Sequence, residues 1–125
     1  MSTHGRLRIK IQLYRGNDVA MGPGKADLLD AIRSEGSISS AARALGMSYR
    51  RAWMLVEVMN HCWRAPLVEA RTGGRSGGGA QVTDLGLTVL ALYRALQNRT
   101  QDAAEQHGSE LQGLLSPTGP NDDGA

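Results

Sequence analysis

The sequence predicts a mainly α-helical domain with a small amount of β structure. Three observations predict it. Residues 38–59 carry two apolar stripes at helical spacing, separated by Gly46-Met47-Ser48. Two short strand-like runs, 67–71 and 80–83, flank a segment with five glycines between Thr72 and Gly79. A last periodic run carries Leu85, Val89, Leu92, Tyr93 and Leu96. With a strand-like start, the order becomes strand, helix, helix, helix, strand, loop, strand, helix. That is a winged helix-turn-helix with N-terminal strands and a long C-terminal helix. Its wing is the hairpin from Leu67 to Thr83.

Residues 1–5 read as disordered. Leu7, Ile9, Ile11 and Leu13 alternate with Arg8, Lys10 and Gln12, the pattern of a half-buried strand. Arg15-Gly16-Asn17-Asp18 is a turn, and Val19 to Met21 returns as a second short strand. Gly22-Pro23-Gly24 ends it, and a helix runs to about Glu35 with Leu28, Leu29 and Ile32 on one face. Gly36 stops this helix, and Ser37 or Ser39 caps the next.

In that next helix Ala41, Ala42 and Leu45 form one apolar stripe, and small Ala42 allows a close crossing. Gly46 suits the sharp corner because glycine takes φ > 0 at little steric cost. Ser48 caps a helix whose inward positions are Ala52, Leu55, Val56 and Met59. It ends near Arg64, since Pro66 disfavours helical backbone at Ala65. Thr83 or Asp84 caps the last helix, which runs past Thr100 or breaks and resumes as far as Leu115. The expected organisation is a winged helix-turn-helix over 6–100, a helical extension over 101–115 and a disordered tail over 116–125.

All 14 lysines and arginines lie between Arg6 and Arg99, where seven of the 12 acids also lie. The first 100 residues thus carry a formal +7 and the last 25 carry −5. A basic body is the footprint of a polyanion-binding surface, although ordinary solvated charge gives the same count. No run is long enough to span a membrane and no signal-peptide pattern occurs, so the cytoplasm is the expected location. A single cysteine, Cys62, excludes an intramolecular disulfide. The glycine-rich stretch lacks the Gly-x-x-x-x-Gly-Lys-Ser/Thr order of a nucleotide loop. His4, His61 and His107 have no zinc-site spacing. His61 and Cys62 are adjacent, but Cys62 falls nearer the buried side, which reads as a core thiol rather than a sensor. No catalytic arrangement stands out. The chain reads as a non-enzyme with no cofactor.

Gly36-Ser37-Ile38-Ser39 with Ala41-Ala42, then Ser48-Tyr49-Arg50-Arg51-Ala52-Trp53 and Met59-Asn60, form a specific set. Pro66-Leu67-Val68-Glu69, Thr72-Gly73-Gly74, Gly77-Gly78-Gly79-Ala80 and Thr83 with Gly86 continue it. This set resembles the DNA-binding domain of the molybdate-responsive ModE-type regulators over roughly residues 7–98. LysR-type DNA-binding domains are similar more loosely over the same span. The resemblance implies a homodimeric transcriptional regulator with dimer contacts through the last helix. Full-length members carry molybdate-binding domains of small β-barrel type. The last 25 residues cannot build such a barrel. A single-domain form without that sensor is therefore expected.

At 100° per residue, Arg50, Met54 and Glu57 point away from the buried face, with Arg51 and Trp53 on its flanks. Arg50 is the candidate for a base-edge contact, because arginine pairs bidentately with guanine O6 and N7. Arg51 and Tyr49 are candidates for base or phosphate. Tyr49 also suits a place over the core edge, and Trp53 suits either packing or DNA. Ser39, Ser40 and Ser48 start helices, where hydroxyls and N–H groups hold a phosphate or simply cap. Arg75 at the wing tip suits a minor groove or phosphate, the alternative being a loose hairpin tip. Arg71 and Lys25 are further phosphate candidates.

These residues point to a sequence-specific regulator acting as a homodimer on a pseudo-palindromic site in double-stranded DNA, with molybdenum- or oxyanion-linked genes implied by the resemblance. Three other readings share the fold: a single-domain oxyanion or metal sensor, a protein-interaction module, and a nucleoid-like architectural protein.

Overall fold

In the computed structural model the described residues are 5–72 and 78–117. The elements are β1 (Leu13–Arg15), β2 (Asp18–Met21), α1 (Pro23–Glu35), α2 (Ile38–Leu45), α3 (Tyr49–Cys62), β3 (Val68–Arg71), β4 (Gly79–Val82) and α4 (Asp84–Gly113). Two separate antiparallel hairpins, β1-β2 and β3-β4, accompany the four helices. This is a winged helix-turn-helix, mainly α with little β, with N-terminal strands and a long last helix. The expected disorder at 1–5 and 116–125 falls largely on residues outside the described ones.

The chain divides into two compact units, residues 10–94 and a second unit of 1–9 with 95–125. In the first, Met21, Leu28, Leu29, Ile32, Met59 and Leu67 are the largest fully buried side chains. They explain why α1 and α3 hold: each lays one apolar face on a shared core. Leu55 packs half-buried at the edge of that core. Arg94 on α4 reaches back to α1, donating to Asp30 Oδ2 at 2.7 Å and Asp27 Oδ1 at 2.9 Å. Burial works against its charge, but the hydrogen bonds it donates to Asp30 and Asp27, with their negative charge, outweigh that and raise its pKa. The Tyr93 hydroxyl donates to the Ile11 carbonyl at 2.8 Å, which anchors the segment before β1. In the second unit, Gln112 Nε2 donates to the Gly5 carbonyl at 3.2 Å.

Three expectations need correction, and two open alternatives are decided. The alternation over 7–13 is not a strand, because only Leu13 belongs to β1. A strand needs a partner, and β2 is four residues long and gives way to α1 at Pro23. Its register therefore serves only Leu13 to Arg15. Leu7 and Ile9 are exposed. Leu45 is not part of a buried stripe: it is 38% exposed, while Ala41 and Ala42 are buried. The helix crossing is made at the two alanines, and Leu45 lies one turn beyond them. Of the two caps the sequence offers for α2, Ser37 is the one used. Finally, α3 stops at Cys62 rather than near Arg64. Trp63 turns extended, and its indole N–H donates to the Ala20 carbonyl at 3.2 Å, tying the helix end to β2. Of the two courses open for the last helix, it takes the continuous one and runs past Thr100 to Gly113.

Candidate nucleic-acid interface

The α2–α3 corner is built from local chemistry. The Ser37 hydroxyl accepts from the Ser40 N–H at 3.0 Å and starts α2. Gly46 ends it with φ 70°, a left-handed conformation in which a side chain is strained. There the Met47 N–H donates to the Ala42 carbonyl at 2.9 Å and the Gly46 N–H to the Arg43 carbonyl at 3.2 Å, the paired bonds of a Schellman motif. The chain is thereby turned at once into α3, where the Ser48 hydroxyl accepts from the Arg51 N–H at 3.1 Å. Ala41, Ala42 and Ala52 are buried, and their small side chains let the two helices pack closely.

Packing of Ala52, Val56 and Met59 into the core fixes the rotation of α3. Arg50 and Arg51 are consequently exposed, as are Tyr49, Trp53 and Met54. Tyr49 is 55% and Trp53 45% exposed, so neither is a buried packing residue. Ser39 is exposed and Ser40 half-buried near the start of α2. Ser39 Oγ lies 3.5 Å from Ser37 Oγ, beside the cap. Lys25, half-buried at the start of α1, lies within electrostatic reach of Arg51. Its burial lowers its pKa. Cys62 and Asp18 work in the opposite direction, and Arg51 adds to the lowering. One side of the first unit therefore gathers Lys25 and Arg51.

The wing is held by bonds that the sequence pattern only partly announces. Asn60 on α3 accepts from the Leu67 and Val68 N–H groups at 2.9 and 3.1 Å and donates to the Val68 carbonyl at 2.9 Å. The Ala80 N–H of β4 donates to the Gly36 carbonyl at 2.9 Å, attaching the wing to the end of α1. Thr83 closes the hairpin: its hydroxyl donates to the Pro66 carbonyl at 2.8 Å and accepts from the Gly86 N–H at 3.0 Å. That makes Thr83 the cap of α4. Arg71 is exposed at the end of β3, opposite Gly79. Arg75 lies outside the described residues.

Cys62 is half-buried, and the exposed His61 has its Nδ1 2.7 Å from the Glu57 carbonyl of its own helix. Among the described residues no group of three His, Cys, Asp or Glu side chains is placed to hold a metal ion. No described helix is long and apolar enough to cross a membrane.

Comparison with known proteins identifies the same region. Residues 25–87, half of the chain, match the family described as bacterial regulatory helix-turn-helix protein, lysR family. The molybdenum transport protein ModE of Azotobacter vinelandii is 38% identical over 109 residues, 87% of this chain and 40% of that protein. The transcriptional regulator ModE of Haemophilus influenzae is 36% identical over 116 residues, 90% of this chain and 44% of that protein. The molybdenum-pterin-binding protein MopB of Rhodobacter capsulatus is 47% identical over 77 residues, 62% of this chain and 28% of that protein. The chain thus spans less than half the length of each of these relatives. Exposed arginines on the capped α3, a tethered wing and the family match agree: the chain is a ModE-like member of the lysR family of bacterial regulatory helix-turn-helix proteins.

Proposed function

We propose that the chain binds double-stranded DNA sequence-specifically, as a homodimer on a pseudo-palindromic operator, and so regulates transcription. The observation that carries this reading is the outward face of α3, where Arg50 and Arg51 stand exposed on a helix whose other face is buried. Arg50 reads a guanine edge. Arg51, Tyr49, Trp53, Ser48, Lys25 and Arg71 contact base or phosphate, and Ser39 and Ser40 hold a phosphate at the start of α2. Arg75 belongs to the same interface at the wing.

The homodimer is supported by α4. Leu92, 67% exposed, and Leu96, 49% exposed, lie one turn apart on this 30-residue helix. Two such helices pairing would cover them and set the half-sites one helical turn, or a multiple of it, apart. The names of the ModE and Mop relatives favour molybdenum-linked genes as targets.

The test is a titration of the chain with duplex from its own promoter region across a salt series. Affinity should fall steeply, with a logarithmic slope of about −0.9 per phosphate contacted. An affinity that stays flat between low and moderate salt would rule the reading out.

A further inference from the structure

The arginines account for only part of the outward face of α3. Met54 lies one turn after Arg50 and is 52% exposed. It is flanked by a shallow depression of about 350 Å³ lined by Ser48, Arg50, Arg51, Met54, Leu55 and Val58. The lining is thus an apolar floor of methionine, leucine and valine beside two arginines. Phosphate binding has no use for such a floor, since a phosphate wants donors on every side. A long thioether left in water on a surface otherwise suited to polyanions is free to take an apolar partner.

The duplex offers one such group in the major groove, the 5-methyl of thymine. We propose that Met54 is a specificity-determining residue that packs against a thymine methyl close to the guanine read by Arg50. This rests on the DNA-binding reading above. Four residues of helix advance about 6 Å along the axis, at 1.5 Å per residue. Base pairs are spaced about 3.4 Å apart. The thymine therefore lies within about two base pairs of that guanine. Both guanidinium groups favour a polyanion on this face and oppose a basic partner. The unbranched, polarizable methionine adapts to the curved methyl surface without a fixed rotamer.

The experiment uses the full chain and duplexes selected from a random pool. Each thymine of the selected duplex is replaced singly by deoxyuridine, which removes only the methyl group. Affinity is read by fluorescence anisotropy. The wild-type chain should lose roughly fourfold at one position per half-site, the value of one buried methylene-sized group. Met54→Ala should bind the thymine duplex about as weakly and be indifferent to the same replacement. Met54→Leu should restore the discrimination. The assignment is overturned if no replacement weakens the wild type, or if Met54→Ala keeps the full penalty. It is also overturned if Met54→Ala binds every duplex as the wild type does, which would leave the patch to a protein partner. A chain that enriches no duplex at all would instead remove the DNA-binding reading itself.

Discussion

Asn60 holds Val68 by both of its backbone groups, accepting from its N–H at 3.1 Å and donating to its carbonyl at 2.9 Å. The same carboxamide oxygen accepts from the Leu67 N–H. One side chain on α3 therefore fixes the first residue of β3, and the orientation of the wing follows that of the helix. Asn60→Ala removes three hydrogen bonds from part-buried groups and should cost about 1–3 kcal/mol. Asn60→Asp keeps the acceptor and loses the donor to the Val68 carbonyl, so it should stabilise less than wild type but more than the alanine variant. Urea denaturation of the three proteins, compared at equal m-value, checks the order.

Gly86 marks a second fixed distance, between the start of α4 and the wing. A Cβ there would run into the Leu67 carbonyl oxygen and meet Val82 Cγ1 at 2.6 Å. The first obstacle is backbone and has little freedom to yield. Gly86→Ala should therefore destabilise by about 1–3 kcal/mol, although alanine is the better helix former. At the solvent-exposed Gly113, where a Cβ meets nothing, the same change should be neutral or mildly stabilising. Thermal melts of the two variants separate the clash from a propensity effect.

The legible parts of this chain are those where local pattern and burial coincide. Ala52, Val56 and Met59 repeat at helical spacing, and the core takes that same face, so the outward position of Arg50 follows from sequence alone. The corner at Gly46 and the cap at Ser48 are equally local. The missed features depend on partners distant in sequence. Alternation over 7–13 is real, yet strand formation needed more of β2 than the chain provides before Pro23. Leu45 has the right period but lies beyond the crossing. Asn60 is seven and eight residues from the groups it binds; the family resemblance includes it, but spacing and periodicity do not announce its bonds to the wing.

Arg50 separates sequence reading from charge. Arg50→Ala should cost about 1–3 kcal/mol on the selected duplex and much less on non-specific DNA. Its side chain is exposed, so the melting temperature should stay close to wild type. Equal losses on both duplexes would make Arg50 a phosphate contact. Arg51→Ala, if Arg51 contacts phosphate, should weaken both duplexes alike and lower the salt slope by about 1.

Lys25 links stability to pH. Burial holds its folded-state pKa below the ordinary 10.5, so the unfolded chain binds this proton more tightly. Below the folded pKa the cost of burying the charge is borne in full. As pH rises from the lowered value towards 10.5 the unfolded state holds more protons, and Lys25's contribution to stability rises. Lys25→Met should thus be more stable than wild type at neutral pH, with the gap narrowing in the alkaline range. Denaturation at pH 7 and near pH 10, read as the difference between the two proteins, checks the sign. A constant gap would assign the gain to packing alone. The same variant should bind DNA more weakly, whatever the sequence, if Lys25 meets a phosphate.

The paired leucines of α4 test the dimer. Leu92 and Leu96 are too exposed to contribute to the fold of one chain, so Leu92→Glu with Leu96→Glu should leave its helicity unchanged. If α4 is the interface, two carboxylates per chain would face their symmetry mates, where like charges repel. Sedimentation equilibrium should then show the wild type as a dimer and the double variant as a monomer. The wild-type melting temperature should rise with protein concentration, and the variant's should not. Affinity for a full palindrome should fall far more than affinity for a half-site, because the second contact no longer comes tethered to the first. A double variant that sediments as a dimer would place the interface away from these leucines.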